Sequence, residues 1–398
     1  MDFEFPEETL MLRDMLRRFI QKEARPLEMQ YFNNGELKPE ERARLRKAID
    51  QLGLWGFDVP EEYGGSGLDT VTACVIEEEL GGTFVPMEMG NVTPLLYACT
   101  GKQISEYLEP ALAGERRAII AAREPGILSP VGWKMVAKLD SVSGQGQQSY
   151  LLNGQKVIST NPTPQDFFII FAKTLGTTVP QGLTAFLLDS DNVQPGINPR
   201  SKSVSSTSHR EIVLTLQEQR IDRTNILGEV GQALRTGSSQ GLGTKDALRA
   251  WILTGARYIG MVERLIEMAT EHANNWVSLN GLLSIRPAIQ RMLADLRVDV
   301  ESARWLVYHS AWLADTGKPE GWSMLRSAAA QVRLSTGEML QRAVDRVTMI
   351  FTGPGPLPQI EPQRLVRCVV PSEVLDFAIE QARAVIISDM LGGQTAGK

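Results

Sequence analysis

The side chains that most often do chemistry are sparse in this chain of 398 residues, which has three histidines. They lie far apart in the sequence, at His209, His272 and His309. Because zinc and similar metals usually need several His or Cys ligands at short spacing, we expect no metal site. His209 has no recognisable nucleophile or partner base beside it, so we interpret it as a structural or exposed polar residue.

The cysteines indicate neither a disulfide framework nor a zinc site. Cys74, Cys99 and Cys368 form no CxxC pair and no even set, which is typical of a reducing compartment. The chain begins MDFEFPEE, acidic where a secretory signal would be basic, and no apolar run approaches the ~20 residues that cross a bilayer. We therefore predict a cytoplasmic protein without a membrane partner.

Composition and charge indicate a globular protein. Apolar residues make up 43% of the chain and charged residues 22%, which is ordinary for a packed domain. Lys and Arg number 41 against 47 Asp and Glu, so the formal charge is −6. This balance gives no electrostatic attraction to nucleic acid.

The elements that must position any site fall into three parts. Residues 1–122 show helical periodicity over 7–23, 41–54, 70–80 and 104–112, and we expect Pro26 to end the first helix. A Gly-rich turn, PEEYGGSGLD, occupies 60–69. We predict an N-terminal helical domain with a boundary near residue 122.

The middle part, 123–232, has a different pattern. Short apolar stretches at 150–152, 167–172, 183–188 and 211–216 are separated by turn residues. Asn153-Gly154 is a hairpin signal because both residues favour the positive φ angles of tight hairpin turns. We predict a small all-β domain, either a barrel or a sandwich.

The last part, 233–398, returns to helical periodicity after a Gly- and Ser-rich joint at 233–245. The segments 246–274, 286–316, 321–351 and 371–391 each suit a long helix. Four such helices predict a bundle. The predicted fold class is therefore α+β and multi-domain: helical domain, β domain, four-helix bundle.

Motifs in all three parts resemble the acyl-CoA dehydrogenase family. They are PEEYGGSGLD at 60–69, YLLNGQKVISTN at 150–161, SHREIVL at 208–214 with NILGEVG at 225–231, and QRMLADL at 290–296. The similarity runs from about residue 5 to residue 392. It implies the α, β, α architecture and FAD-dependent α,β-dehydrogenation of an acyl-CoA thioester. In that reaction a carboxylate removes the α-proton while FAD accepts the β-hydride, and sites straddle two subunits.

The resemblance assigns the catalytic base to one of two positions, and both are apolar here. One is Val369, just before Pro371-Ser372-Glu373-Val374, and the other is Leu248, just before Arg249. Neither side chain can accept a proton. Glu373 and Asp246 are the nearby carboxylates and weak candidates, but helical spacing puts each on a different face. Glu373 more simply suits the first turn of a helix after Pro371.

The resemblance also implies cofactor and substrate contacts, several of which are altered. Where the family has TEPGxGSD, residues 123–130 read REPGILSP. The bundle arginine that would reach a neighbouring subunit's FAD pyrophosphate is Trp276, interpreted as a packing or interface residue. The candidate cofactor contacts that remain are Ser129, Thr160, Asn161, Gly353 and Gly355, and the candidate substrate contacts are Ser129, Asp246 and Arg249.

Three hypotheses follow from the resemblance and its departures. The first is a base-lacking subunit that pairs with a complete homologous subunit in a heteromeric acyl-CoA dehydrogenase. The second is a homo-oligomeric FAD enzyme, dimer or tetramer, acting on an acyl thioester through an unrecognised base. The third is a scaffold or binding protein of the same fold without turnover.

Overall fold

A computed structural model describes residues 4–34, 36–127, 132–140, 148–158, 162–175, 182–193, 197–198, 212–233, 245–278, 281–316, 322–351 and 377–391. The helices in these ranges are α1 (Glu7–Phe19), α2 (Glu28–Asn34), α3 (Pro39–Gln51), α4 (Thr70–Gly81), α5 (Glu109–Leu112), α6 (Lys245–Asn275), α7 (Pro287–Thr316), α8 (Trp322–Phe351) and α9 (Phe377–Met390). The strands are β1 (Ala118–Ala121), β2 (Val136–Asp140), β3 (Ser149–Ile158), β4 (Phe167–Thr174), β5 (Leu183–Asp189), β6 (Ile197–Asn198), β7 (Ile212–Asp222), β8 (Ile226–Leu227), β9 (Val277–Ser278) and β10 (Gly281–Leu282).

The described residues group into two compact units. One contains those of 1–58, 67–89 and 248–398, and the other those of 59–66 and 90–247. The predicted order of helical, β and helical parts is confirmed. The three domains expected at 1–122, 123–232 and 233–398 stay a prediction.

The first unit is helical, and its four long C-terminal helices match the predicted bundle. Helix α6 presents a buried stripe of Leu248, Ile252, Ile259 and Val262 to the core, at the spacing of one helical face. Helix α4 begins where the Asp69 carboxylate accepts a hydrogen bond from the Thr72 N–H, at 2.6 Å. This N-cap satisfies one of the free donors of the first turn.

The expectation that Pro26 ends the first helix was wrong. After α1 the backbone continues through a π turn, Ile20–Ala24, and a 3-10 turn, Arg25–Leu27, directly into α2. Pro26 lies near the start of the 3-10 turn. The Arg25 N–H still donates to the Ile20 carbonyl oxygen, and the fixed φ of proline suits the first positions of a helical turn.

The second unit is built around an eight-stranded mixed sheet in the order β6-β7-β3-β2-β4-β5-β8, with β1 paired to β4. The pairs β1–β4 and β2–β4 are parallel, and the others are antiparallel. Helical residues of the 94–112 segment pack on this sheet, with the Tyr107 and Phe167 ring centroids 4.9 Å apart. The predicted β domain is therefore present.

The hairpin expected at Asn153-Gly154 is absent, because β3 runs straight through both residues. The pairing with β7 shifts register between Leu152 and Gly154, and Gly154 has a φ of 146°. Across the bulge, Asn153 Nδ2 donates to Glu218 Oε1 and Asn153 Oδ1 accepts from the Glu218 N–H, both at 2.8 Å. The local signal therefore marks a β-bulge, which also favours glycine.

Candidate functional site

One of the two implied base positions lies in the described structure, and it is hydrophobic core. Leu248, in the first turn of α6, is completely buried in the apolar cluster of the first unit. The other position, Val369, lies outside the described residues, as does the candidate base Glu373. The backbone of Asp246 is in α6, while its side chain is not described. At position 248, the side chain has no group that can take up a proton.

Arg249, the residue after Leu248, is a paired structural cation. Its guanidinium forms an ion pair with Asp58 and donates to the Leu68 carbonyl oxygen at 2.9 Å and to Thr70 Oγ1 at 3.3 Å. These contacts join the start of α6 to the end of the PEEYGGSGLD segment and the start of α4. Burial lowers the pKa of Arg249, and the nearby Asp315 carboxylate opposes that shift.

Asp315, at the end of α7, fixes the same corner. Its carboxylate accepts from the Thr70 N–H at 2.8 Å and the Val71 N–H at 3.0 Å. An acid at the start of a helix also interacts favourably with the helix dipole. The guanidinium of Arg249 thus contacts Asp58, the Leu68 carbonyl oxygen and Thr70 Oγ1, which leaves few of its five donors for a substrate.

We expect Arg249→Gln to lower the free energy of unfolding by about 1–3 kcal/mol, because Asp58 and the Leu68 carbonyl lose a charged, half-buried donor. Chemical denaturation would measure the change. The matched control is Arg291→Gln, on the exposed face of α7, which should stay within about 0.5 kcal/mol. Equal effects of the two substitutions would contradict the structural role of Arg249.

The β unit contains a second polar cluster that the sequence analysis missed. Lys156 of β3 is completely buried, and its Nζ donates to the Ala122 carbonyl oxygen at 2.9 Å and to Glu124 Oε1 at 3.1 Å. The ammonium lies 4.2 Å from the centroid of the Trp133 ring. We call Glu124, Trp133 and Lys156 the buried lysine cluster.

Glu124 anchors this cluster to the backbone before β2. Its two carboxylate oxygens accept from the Lys134 N–H at 2.6 Å and the Met135 N–H at 2.9 Å. Burial lowers the pKa of Lys156 to about 8, although the Glu124 carboxylate opposes the shift. One sequence signal could have revealed the cluster: Lys156 stands two residues before the buried Ile158 on β3, so both side chains point to the same face.

The candidate contacts Ser129, Thr160, Asn161, Gly353 and Gly355 all lie outside the described residues. The bundle end that would approach a pyrophosphate is described. There Trp276 stacks on His272, with ring centroids 5.6 Å apart, and Phe351 meets His272 edge to face at 5.0 Å. We call His272, Trp276 and Phe351 the aromatic cap. These uncharged rings do not fit the pyrophosphate of FAD, which requires cationic or backbone donors.

The described residues show neither a metal-ligating cluster nor a membrane-spanning helix. No three His, Cys, Asp or Glu side chains among them come close enough to hold a metal ion. Within the same ranges, no helix is both long and apolar enough to cross a membrane.

Comparison with known proteins gives matches along almost the entire chain. Residues 6–115 match the domain described as "Acyl-CoA dehydrogenase, N-terminal domain", and residues 249–387 match "Acyl-CoA dehydrogenase, C-terminal domain". The (R)-benzylsuccinyl-CoA dehydrogenase of Thauera aromatica is 28% identical over 98% of this chain and 97% of its own. The short-chain specific acyl-CoA dehydrogenase, mitochondrial, of Rattus norvegicus is 28% identical over 98% and 91%.

Solved structures show the same fold. The chain superimposes on a glutaryl-coenzyme A dehydrogenase in complex with glutaryl-CoA with a TM-score of 0.79, at 24% identity over 100% of this chain and 98% of the other. Against butyryl-CoA dehydrogenase from Megasphaera elsdenii the TM-score is 0.76, at 23% identity over 98% of this chain and 100% of the other.

Proposed function

Because the chain belongs to the acyl-CoA dehydrogenase family, we propose that it serves FAD-dependent dehydrogenation of an acyl-CoA thioester as a base-lacking subunit of a heteromeric enzyme. Its partner would be a homologous subunit that carries the catalytic carboxylate. The observation that carries this proposal is the complete burial of Leu248, one of the two positions at which the resemblance implies a base. The FAD requirement and the acyl-CoA substrate are taken from relatives of this family.

The chemistry of the reaction explains why the presence or absence of a base distinguishes a catalytic chain from a non-catalytic one. An α-proton of a thioester is a weak acid, and a positioned general base contributes about 10²- to 10⁴-fold to its removal. Leu248 offers only methyl groups. Asp246 precedes it by two residues, which is about 200° around a helix. A carboxylate there does not replace one at position 248.

In this proposal the chain positions its partner's substrate without performing proton transfer. Arg249 and Asp315 hold the start of α4 and the end of the PEEYGGSGLD segment in one arrangement. These contacts join the start of α4 and the residues just before it to α6 and α7, next to the leucine at one of the implied base positions. We infer the pairing with a homologous chain because the resemblance implies cofactor sites that are built from two subunits.

The alternative is a homo-oligomeric enzyme that uses Asp246 or Glu373 as its base. The experiment that separates the two purifies the chain alone, adds FAD and measures oxidation of short, branched and aromatic acyl-CoA thioesters with an artificial electron acceptor. We expect no turnover above the uncatalysed background. Turnover in the range of about 1–10³ s⁻¹ that is typical of enzymes would overturn the base-lacking proposal.

The same assay can test the partner. Co-expression with a homologous subunit that carries the base should restore turnover, and Asp246→Asn or Glu373→Gln in this chain should leave the restored rate unchanged within about twofold. A fall of about 10²-fold or more in either variant would identify that carboxylate as the base.

A further inference from the structure

The end of α6 differs in charge from what the family resemblance implies. The helix stops at Asn275, and the Trp276 N–H donates to the His272 carbonyl oxygen at 2.9 Å. The chain then turns through β9 and β10, and the Leu283 N–H donates back to the Trp276 carbonyl oxygen at 3.0 Å. Trp276 is therefore fixed at the C-terminal end of a long helix by backbone bonds on both sides.

The aromatic cap joins the C-terminal end of α6 to α8. The ring of Phe351, in α8, packs edge to face against His272 in the last turn of α6. A helix C-terminus carries the negative end of the helix dipole, about half an elementary charge. An anion at this place is repelled unless a cation compensates.

None of the three rings supplies that cation. Burial lowers the pKa of His272, which is 4% exposed, so the imidazole is neutral at neutral pH. Its Nε2 and the Trp276 Nε1 are buried and have no hydrogen-bond partner in the described structure. Because both nitrogens are shielded from solvent, they are not available as donors to an external phosphate.

We propose that the aromatic cap closes the end of α6 and excludes the FAD pyrophosphate from the place where the resemblance implies an arginine. The cap therefore places three uncharged rings where the resemblance implies a cation. The relevance of this exclusion rests on the proposed function, since it assumes that cofactor sites of the assembly straddle two chains. The exclusion itself is a property of His272, Trp276 and Phe351.

ADP is a suitable probe because it carries a pyrophosphate and no flavin. Calorimetry on the full chain, in the oligomeric form in which it purifies, should show no salt-sensitive binding of ADP to the unaltered protein. Trp276→Arg should gain at least about tenfold in ADP affinity, the effect of one charge-assisted hydrogen bond, and lose the gain at higher ionic strength. Trp276→Phe is the matched control and should resemble the unaltered protein.

Several results would overturn the proposal. One is salt-sensitive ADP binding to the unaltered chain that Trp276→Phe removes. Another is a Trp276→Arg protein that is folded, as verified by circular dichroism, but binds ADP no more tightly than the unaltered protein.

If Trp276→Arg does not fold, the His272 imidazole NMR signals of the unaltered protein provide the test. Signals that do not change when ADP is added support the proposal, and ADP-dependent shifts contradict it. None of these readouts depends on turnover or on a homologous subunit that carries the base, so failure here and failure of the proposed function are distinguishable.

Discussion

We expect Gly260→Ala to lower the free energy of unfolding by about 3 kcal/mol or more, among the larger effects of a single added methyl group. A Cβ at this position of α6 would overlap the carbonyl oxygen of Glu78 and lie 2.9 Å from the Cα of Gly81, both on α4. The obstacle is helix backbone, which cannot yield as a side-chain tip can. Thermal or urea unfolding would measure the loss.

The reciprocal contact strengthens this expectation. A Cβ at Gly81 would lie 2.9 Å from the Cα of Gly260 and would overlap the carbonyl oxygen of Arg257. The two helices therefore cross with glycine against glycine, and either substitution forces them apart. Alanine has a higher helix propensity than glycine, by about 1 kcal/mol. This gain offsets part of the loss from the steric overlap. The overlap therefore costs more than the measured fall in the free energy of unfolding.

Gly337→Ala is the matched control for this prediction. Gly337 is also in the interior of a long helix, α8, but its added Cβ would meet the Cδ1 of Ile379 at 3.0 Å. That atom ends a flexible side chain and can move aside. We expect Gly337→Ala to be near neutral, and similar losses in Gly260→Ala and Gly337→Ala would contradict the role given to the helix crossing.

The helices of the first unit were predictable because their information is local. The apolar stripe of α6 and the Asp69 N-cap of α4 can both be seen within one or two turns of sequence. The expectation at Pro26 failed because of its place near the start of a helical turn, whereas the one at Asn153-Gly154 depended on a residue outside the local window. Glu218, far along the chain, converts the Asn153-Gly154 signal from a turn into a bulge.

The chemistry of the site was only partly predictable for the same reason. The apolar character of Leu248 is evident in the sequence, and its burial confirms that the position is core. The partners of Arg249 and Lys156 are not evident, because Asp58 and Glu124 come close only in the folded chain. Glycines such as Gly260 appear as helix defects until Gly81 is placed against them.

We expect Lys156→Met to lower the free energy of unfolding by about 3–5 kcal/mol, because it leaves the buried Glu124 carboxylate without its cation. The substitution also removes the donor to the Ala122 carbonyl and the cation above the Trp133 ring. Urea denaturation at neutral pH would measure the loss. The double substitution Lys156→Met with Glu124→Gln should recover part of it, since no unpaired charge then remains in the interior.

Lys138→Met is the matched control in the same sheet. Lys138 is exposed on β2, so its loss should change stability by about 0.5 kcal/mol or less. If Lys156→Met were no worse than Lys138→Met, the buried lysine cluster would not be a stabilising contact. If the double variant lost as much as Lys156→Met, an unpaired Glu124 would not be the cause.

The buried lysine cluster also predicts a pH dependence whose sign follows from burial. The folded-state pKa of Lys156 is about 8 against an ordinary value of 10.5, so between these values the unfolded chain binds more protons. Stability then rises with pH, because the cost of burying a charged lysine disappears as the ammonium loses its proton. Relative to the double variant, the unaltered protein should gain about 3 kcal/mol between pH 8 and pH 10.5. A difference that falls with pH would mean that the pairing with Glu124 outweighs the burial of Lys156.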